Sequence, residues 1–210
     1  MRFWAMPEAV EVGKELSNES QSPTWQSSRR AFLKMTGAAC VPGLLATSAL
    51  AQAAPDFWSM PRQIWLQRKT ARGVEEFRGV YFADGKLLLE PYLQICRILR
   101  DVREDVAVQM SPVLLDILCG VQGIARVHGV EAPLETTSGH RTARHNSRLE
   151  GAARASLHIE GRAWDGRMPG MSPAIMSEAA KYLRGGGVGL YVDRRFVHVD
   201  DGRLRSWSGR

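Results

Sequence analysis

Residues 28–53 decide how much of this 210-residue chain is left to build a fold. Ser28-Arg29-Arg30-Ala31-Phe32-Leu33-Lys34 sets two adjacent arginines ahead of an almost uncharged run, Met35 to Ala51, rich in Ala, Gly and Leu. Small residues then alternate at Ala49-Leu50-Ala51 and Ala51-Gln52-Ala53, as a signal peptidase requires. A charged region, an apolar region and a cleavage site in that order read as an export signal. Pro42 and Gly43 break the apolar run, which falls short of the roughly 20 residues a spanning helix needs. No stable membrane span is therefore expected once the signal is cut. A lipid anchor on Cys40 is disfavoured, because Gly37 stands where such a signal carries leucine. The expected organisation is a polar extension over 1–27, the signal over 28–53 and one domain over 54–210, long enough to bury a single core.

The paired arginines with Phe32-Leu33-Lys34 resemble a twin-arginine signal, which exports proteins already folded and here implies the periplasm. Five of the 28 Lys and Arg and four of the 22 Asp and Glu lie in the first 53 residues, which leaves the mature chain at about +5. A basic surface suits an anionic polymer. Export argues against nucleic acid and leaves the acidic cell wall as partner. Cys96 and Cys119 sit in apolar helical patterns and are expected as buried thiols. A disulfide between them stays open in an oxidising compartment, and neither spacing resembles a cysteine zinc site.

Two extended runs, Ile64-Trp65-Leu66 and Phe77 to Tyr81, flank the basic stretch Lys69 to Gly73, and Asp84-Gly85 follows as a turn. This predicts an antiparallel ribbon. Leu93, Cys96, Ile98, Leu99 and Val102 recur at helical spacing between Glu90 and Glu104. Ser111-Pro112 opens a second helix with the stripe Leu114, Leu115, Leu118, Val121 and Ile124, closed by Gly129. Beyond Val130, short extended pieces (134–137, 162–165, 187–191, 196–199) alternate with Gly-rich loops, and one helix begins at Ser172-Pro173. The order predicts an α+β domain, a small antiparallel sheet with helices packed on one face.

Chemistry concentrates after residue 138. Ser156-Leu157-His158-Ile159-Glu160-Gly161-Arg162-Ala163-Trp164-Asp165 and Phe196-Val197-His198-Val199-Asp200 supply two histidines and a carboxylate, donors that suit tetrahedral zinc with one position left open. Strand alternation sends Val197 and Val199 to one face and Phe196, His198 and Asp200 to the other. The same residues are compatible with satisfied core histidines, and spacing alone does not choose.

A resemblance does. Ser-x-His-x-x-Gly-x-Ala-x-Asp at Ser156 to Asp165 resembles the first metal motif of the D-alanyl-D-alanine dipeptidase and carboxypeptidase class of zinc peptidases. Ser138-Gly139-His140-Arg141-Thr142 is similar to that class's Ser-Gly-Tyr-Arg-Ser, with His140 in place of tyrosine. Gly185-Gly186-Gly187-Val188-Gly189-Leu190-Tyr191, then Phe196-Val197-His198-Val199-Asp200-Asp201-Gly202 and Arg205-Ser206-Trp207, resemble the murein endopeptidase K branch. The resemblance implies a zinc site on the sheet held by His158, Asp165 and His198, with Arg141 and Ser156 at the substrate or behind the first ligand. It implies a peptidase that cuts cross-links between peptidoglycan stem peptides. The class carries a catalytic Glu three residues before the last histidine, where this chain has Arg195. The general base is therefore open among Asp200, His140 and Asp193, and Asp200 is equally readable as a carboxylate behind His198. The alternative is a zinc-containing peptidoglycan-binding module without activity. An exported redox protein is disfavoured, because the chain lacks a dinucleotide fingerprint, a haem motif and iron–sulfur spacing.

Overall fold

The computed structural model describes residues 59–209, residue 152 excepted, so the export signal and the N-terminal extension lie outside the described residues. The elements are β1 (Arg62–Thr70), β2 (Gly73–Ala83), β3 (Lys86–Leu87), α1 (Leu89–Ile98), α2 (Pro112–Val127), β4 (Leu134–Ser138), α3 (Ala143–Asn146), β5 (Ala163–Arg167), α4 (Pro173–Leu183), β6 (Gly187–Tyr191), β7 (Phe196–Asp200) and β8 (Arg205–Gly209). All eight strands join one sheet in the order β3-β2-β1-β4-β5-β7-β6-β8. The α+β layout is the expected one. The sheet is larger than the sequence suggests, and two of its pairings, β1–β4 and β6–β8, are parallel. Both follow from connectivity: α1 and α2 carry the chain from β1 to β4, and β7 lies between β6 and β8 in sequence.

Alternation along the strands sorts the two faces. Ile64 and Leu66 of β1, Leu134 of β4, Val188 of β6, and Val197 and Val199 of β7 are buried, and join Leu114, Leu115, Leu118 and Val121 of α2 in one core. α1 packs on β1 and β2, α2 on β1, and α4 on β6 and β7. The Ser-Pro signals act as read: Ser111 Oγ accepts from Leu114 N at 3.3 Å, and Ser172 Oγ accepts from Ile175 N at 3.3 Å. α2 stops at the cap residue His128, followed by Gly129 at φ 77°. Trp65, left without a ladder partner on the β4 side, is met by buried Gln122. Its N–H donates to Gln122 Oε1 at 2.9 Å, and its carbonyl accepts from Nε2 at 3.1 Å. Burying these polar groups unpaired would cost more than the bonds return.

α1 ends earlier than its apolar spacing suggests, and Leu93 and Val102 are exposed. Its buried residues are Tyr92, Ile95, Cys96 and Ile98. Buried Arg68 reaches the carbonyls of Ile98 (3.0 Å) and Arg100 (2.5 Å), satisfying the end of the helix. Cys96 and Cys119 are buried free thiols, as expected.

Trp164 of β5 lies fully buried beneath the open face, its Nε1–H donating to Thr136 Oγ1 at 3.0 Å. Trp164→Ala is expected to destabilise the fold by about 3–5 kcal/mol. Urea unfolding would show a lower midpoint at unchanged slope. A loss under about 1 kcal/mol would contradict tight packing here.

Candidate metal centre

On the open face of the sheet, one cross-strand row reads Ser138, Asp165, His198, Gly189, Trp207, each aligned with the next in the ladder. Asp165 and His198 are direct neighbours on β5 and β7, so sheet register alone brings the carboxylate to the imidazole. Gly189 clears the row's far end. A Cβ there would stand 2.6 Å from two indole atoms of Trp207, so only glycine lets that ring lie against the sheet. The Trp207 ring centroid is then 5.3 Å from that of His198, and its Nε1–H donates to Tyr191 Oη at 3.1 Å.

His158 arrives from the loop before β5, which turns at Gly161 (φ 69°). Its neighbour is the Ser138–Thr142 segment. There the backbone passes so close to Leu99 that a Cβ on residue 139 would collide with the Leu99 carbonyl. That approach lets His140 N donate to Leu99 O at 2.7 Å and turns the Gly139 carbonyl to His158 Nδ1 at 2.6 Å. A carbonyl only accepts, so Nδ1 carries the proton. Burial pushes the His158 imidazole below its usual pKa, which keeps it neutral. The lone pair therefore sits on Nε2, and that atom is buried with no hydrogen-bond partner.

The three side chains converge. One donor atom from each of His158, Asp165 and His198 lies within 4.8 Å of the others. His158 Nε2 stands 3.2 Å from Asp165 Oδ2, two lone-pair bearers with no proton to share. His198 Nδ1 is 2.7 Å from Asp165 Oδ1. Burial alone would lower the His198 pKa, yet its bonds to Asp165 and Asp200 hold it above the usual value. Burial would likewise raise Asp165, but the facing His158 and His198 keep its carboxyl far below the usual range. An orphaned buried nitrogen, a second imidazole and an ionised carboxylate form a donor set that fits a zinc ion.

The remaining candidates fall around this cluster in distinct places. Arg141 Nε donates to Ser138 Oγ at 2.7 Å, and its Nη2 pairs with Asp165 Oδ2. Asp200 is fully buried behind His198, with Oδ2 taking His198 Nε2 at 2.9 Å and Arg205 Nη2 at 2.6 Å. Its Oδ1 takes the N–H groups of Gly187 (3.2 Å) and Gly202 (2.8 Å) and Arg205 Nη1 (2.9 Å). Five donors occupy this carboxylate. Burial would raise its pKa, but His198 and Arg205 hold it well below the usual range, so it is a weak proton acceptor. Buried His140 directs Nδ1 to the His158 carbonyl at 3.1 Å. Ser156 contributes its carbonyl, which accepts from Ile159 N at 2.9 Å in the turn that delivers His158. Asp193 is exposed in the β6–β7 turn.

Sequence reasoning passed over Asp101, which anchors the loop from below. Its Oδ2 accepts from Thr142 N (2.9 Å) and His145 Nδ1 (2.8 Å), and its Oδ1 from Arg103 N (3.0 Å). No motif marks it; only the loop's fold shows what it holds. Burial would raise the Asp101 pKa, but the Thr142 and His145 bonds keep it low. A depressed carboxylate adds stability above its unfolded pKa and loses it as pH falls through the folded one. Asp101→Asn is therefore expected to cost about 1–3 kcal/mol at neutral pH. The gap to wild type should close below about pH 4. A gap that persists in acid would contradict an ionic anchor.

A family profile described as Peptidoglycan L,D-endopeptidase MepK matches residues 59–207, which covers the cluster and the sheet up to Trp207 of β8. The chain belongs to the MepK family. Peptidoglycan L,D-endopeptidase MepK of Escherichia coli K12 is 29% identical over 187 residues, 87% of this chain and 98% of that protein. Probable peptidoglycan L,D-endopeptidase MepK of Haemophilus influenzae is 30% identical over 190 residues, 86% of this chain and 96% of that one. No solved structure matches. The match extends across the β1–β2 ribbon and all four helices as well as the strands that carry the cluster. Among the described residues, no helix is long and apolar enough to cross a membrane.

Proposed function

We propose that this chain is a zinc-dependent peptidoglycan endopeptidase, with the ion held by His158, Asp165 and His198. MepK family membership supports the activity, and the observation that carries the metal is the buried, partnerless Nε2 of His158 facing Asp165. Zinc, when bound, polarises a carbonyl and acidifies water near neutral pH. The chain's own groups do the rest. Gly139 O fixes the His158 tautomer, leaving Nε2 to the ion. Asp200 holds Nε2 of His198, so that Nδ1 faces the site, and is assigned as a positioning residue. His140 steadies the His158 backbone, with the Ser156 turn on its other side. Arg141, braced by Ser138, meets a carboxylate or the developing negative charge of the substrate; its fork suits bidentate contact.

The relatives' name specifies a bond with an L-configured residue on the carbonyl side and a D-configured one on the amine side. Stem peptides are joined either from D-Ala to a diamino acid or between two diamino acids; the link joining two diamino acids has that stereochemistry, and the D-Ala link does not. We assign the former, and place the enzyme in the periplasm after export by the twin-arginine route signalled at Arg29-Arg30.

Digestion of purified peptidoglycan by the mature chain, followed by mass analysis, tests this reading. Muropeptide dimers joined through diamino acids should disappear, chelation should stop the loss, and added zinc should restore it. Dimers that persist beside a zinc-loaded chain would make it a binding module instead.

A further inference from the structure

Two residues along β5 from the His158–Asp165–His198 cluster, on the same face of the sheet, lies a second polar feature with no role in the proposed metal site. Gln67, Glu135 and Arg167 align across β1, β4 and β5. With Lys69, Thr136 and Thr137 they line a cavity of about 320 Å³. Arg167 is two residues beyond Asp165 on β5, so both side chains leave the same face roughly 6–7 Å apart. Arg167 Nε donates to Glu135 Oε2 at 2.7 Å. That bond uses one edge of the guanidinium and one carboxylate oxygen. Among the described residues, Nη1, Nη2 and Glu135 Oε1 take no other hydrogen bond, and the Arg167 side chain is 52% exposed. A half-exposed surface pair of this kind adds little to stability.

We infer that Glu135 and Arg167 form a specificity subsite for a zwitterionic amino-acid head, an ammonium and a carboxylate on one carbon, at the end of a diamino-acid side chain. The free guanidinium edge takes the carboxylate bidentately, and Glu135 Oε1 takes the ammonium, giving a closed ring of alternating charges. Lys69 makes the pocket net positive, which favours a carboxylate-bearing head over an amine alone. The reach fits. Four extended carbon–carbon bonds of about 1.5 Å separate the two chiral carbons of such a residue by roughly 5 Å. With its reacting carbonyl at the metal cluster, its far head therefore arrives at Arg167. This inference rests on the reading of the chain as a peptidoglycan peptidase and names what its site selects.

The test is binding, which needs no turnover. Zinc-loaded mature chain is titrated calorimetrically with stem tripeptides ending in meso-diaminopimelate, in lysine (no far carboxylate) or in 2-aminopimelate (no far amine). Wild type is expected to prefer the diaminopimelate peptide over both others by about 10-fold to 100-fold. Arg167→Gln should bind the diaminopimelate and lysine peptides alike, with zinc content and lysine-peptide affinity unchanged. Glu135→Gln should lose the preference over 2-aminopimelate. Arg167→Lys, which keeps charge but not the fork, should retain part of the preference. Equal binding of the three peptides by wild type, or a full preference in Arg167→Gln, would overturn the subsite. Selective binding without any peptidoglycan digestion would sink the catalytic reading and leave the subsite standing. Digestion without selectivity would do the reverse.

Discussion

His158→Ala is expected to remove zinc and activity together, with activity falling by at least about 10³-fold, the equivalent of the several kcal/mol a Lewis acid supplies. The reason lies in how the side chain is held. Its Nδ1–H is committed to the Gly139 carbonyl, and its Nε2 is buried beside Asp165 with no other partner. Alanine removes one of the three proposed ligands and leaves Asp165 facing Arg141 and His198 alone, both of which already pair with it. The fold should survive, because His158 lies in a loop and the core runs through β1, β5, β7 and the helices. Metal analysis, peptidoglycan digestion and a thermal melt on one preparation check all three expectations. Full zinc content with lost activity would mean that His158 acts on substrate, not metal.

Asp200→Asn separates two roles that the sequence left level. As a positioning residue, Asp200 sets the His198 ring through Nε2, and its loss should weaken zinc binding by about 10-fold to 100-fold. Activity should then return when zinc is added in excess. As a general base, its loss would leave zinc affinity intact and abolish turnover at every zinc concentration. The five donors on its carboxylate favour the first outcome. The variant also leaves Arg205 without its anionic partner, so some loss of stability is expected alongside. Arg205 stacks 4.9 Å over Trp207, and that contact should limit the damage.

Much of this was legible in the residues. The Ser-Pro starts of α2 and α4, the Gly129 stop and the alternation of β7 follow from local chemistry, and local chemistry does not change with context. The convergence of His158, Asp165 and His198 was legible only through the resemblance of their motifs, since two histidines and a carboxylate at that spacing fit a satisfied core equally well. The limits were non-local. β8 is short and polar and buries no residue, so its parallel pairing with β6 emerges only from the sheet. The end of α1 depends on Arg68, thirty residues upstream, capping its carbonyls. Asp200 is polar and lies two residues from His198, which made it readable as a base; its saturation by His198, Gly187, Gly202 and Arg205 is a property of the assembled turn. Gly189 and Gly139 were visible as glycines, but the indole and the backbone they make room for come from elsewhere in the chain.

Diffraction at the zinc absorption edge from crystals of the mature chain tests directly whether His158, Asp165 and His198 hold one zinc ion. A single anomalous peak is expected, about 2.0–2.2 Å from His158 Nε2, His198 Nδ1 and a carboxylate oxygen of Asp165. A zinc peak bound by other residues, or none in a chain that cleaves peptidoglycan, would contradict it.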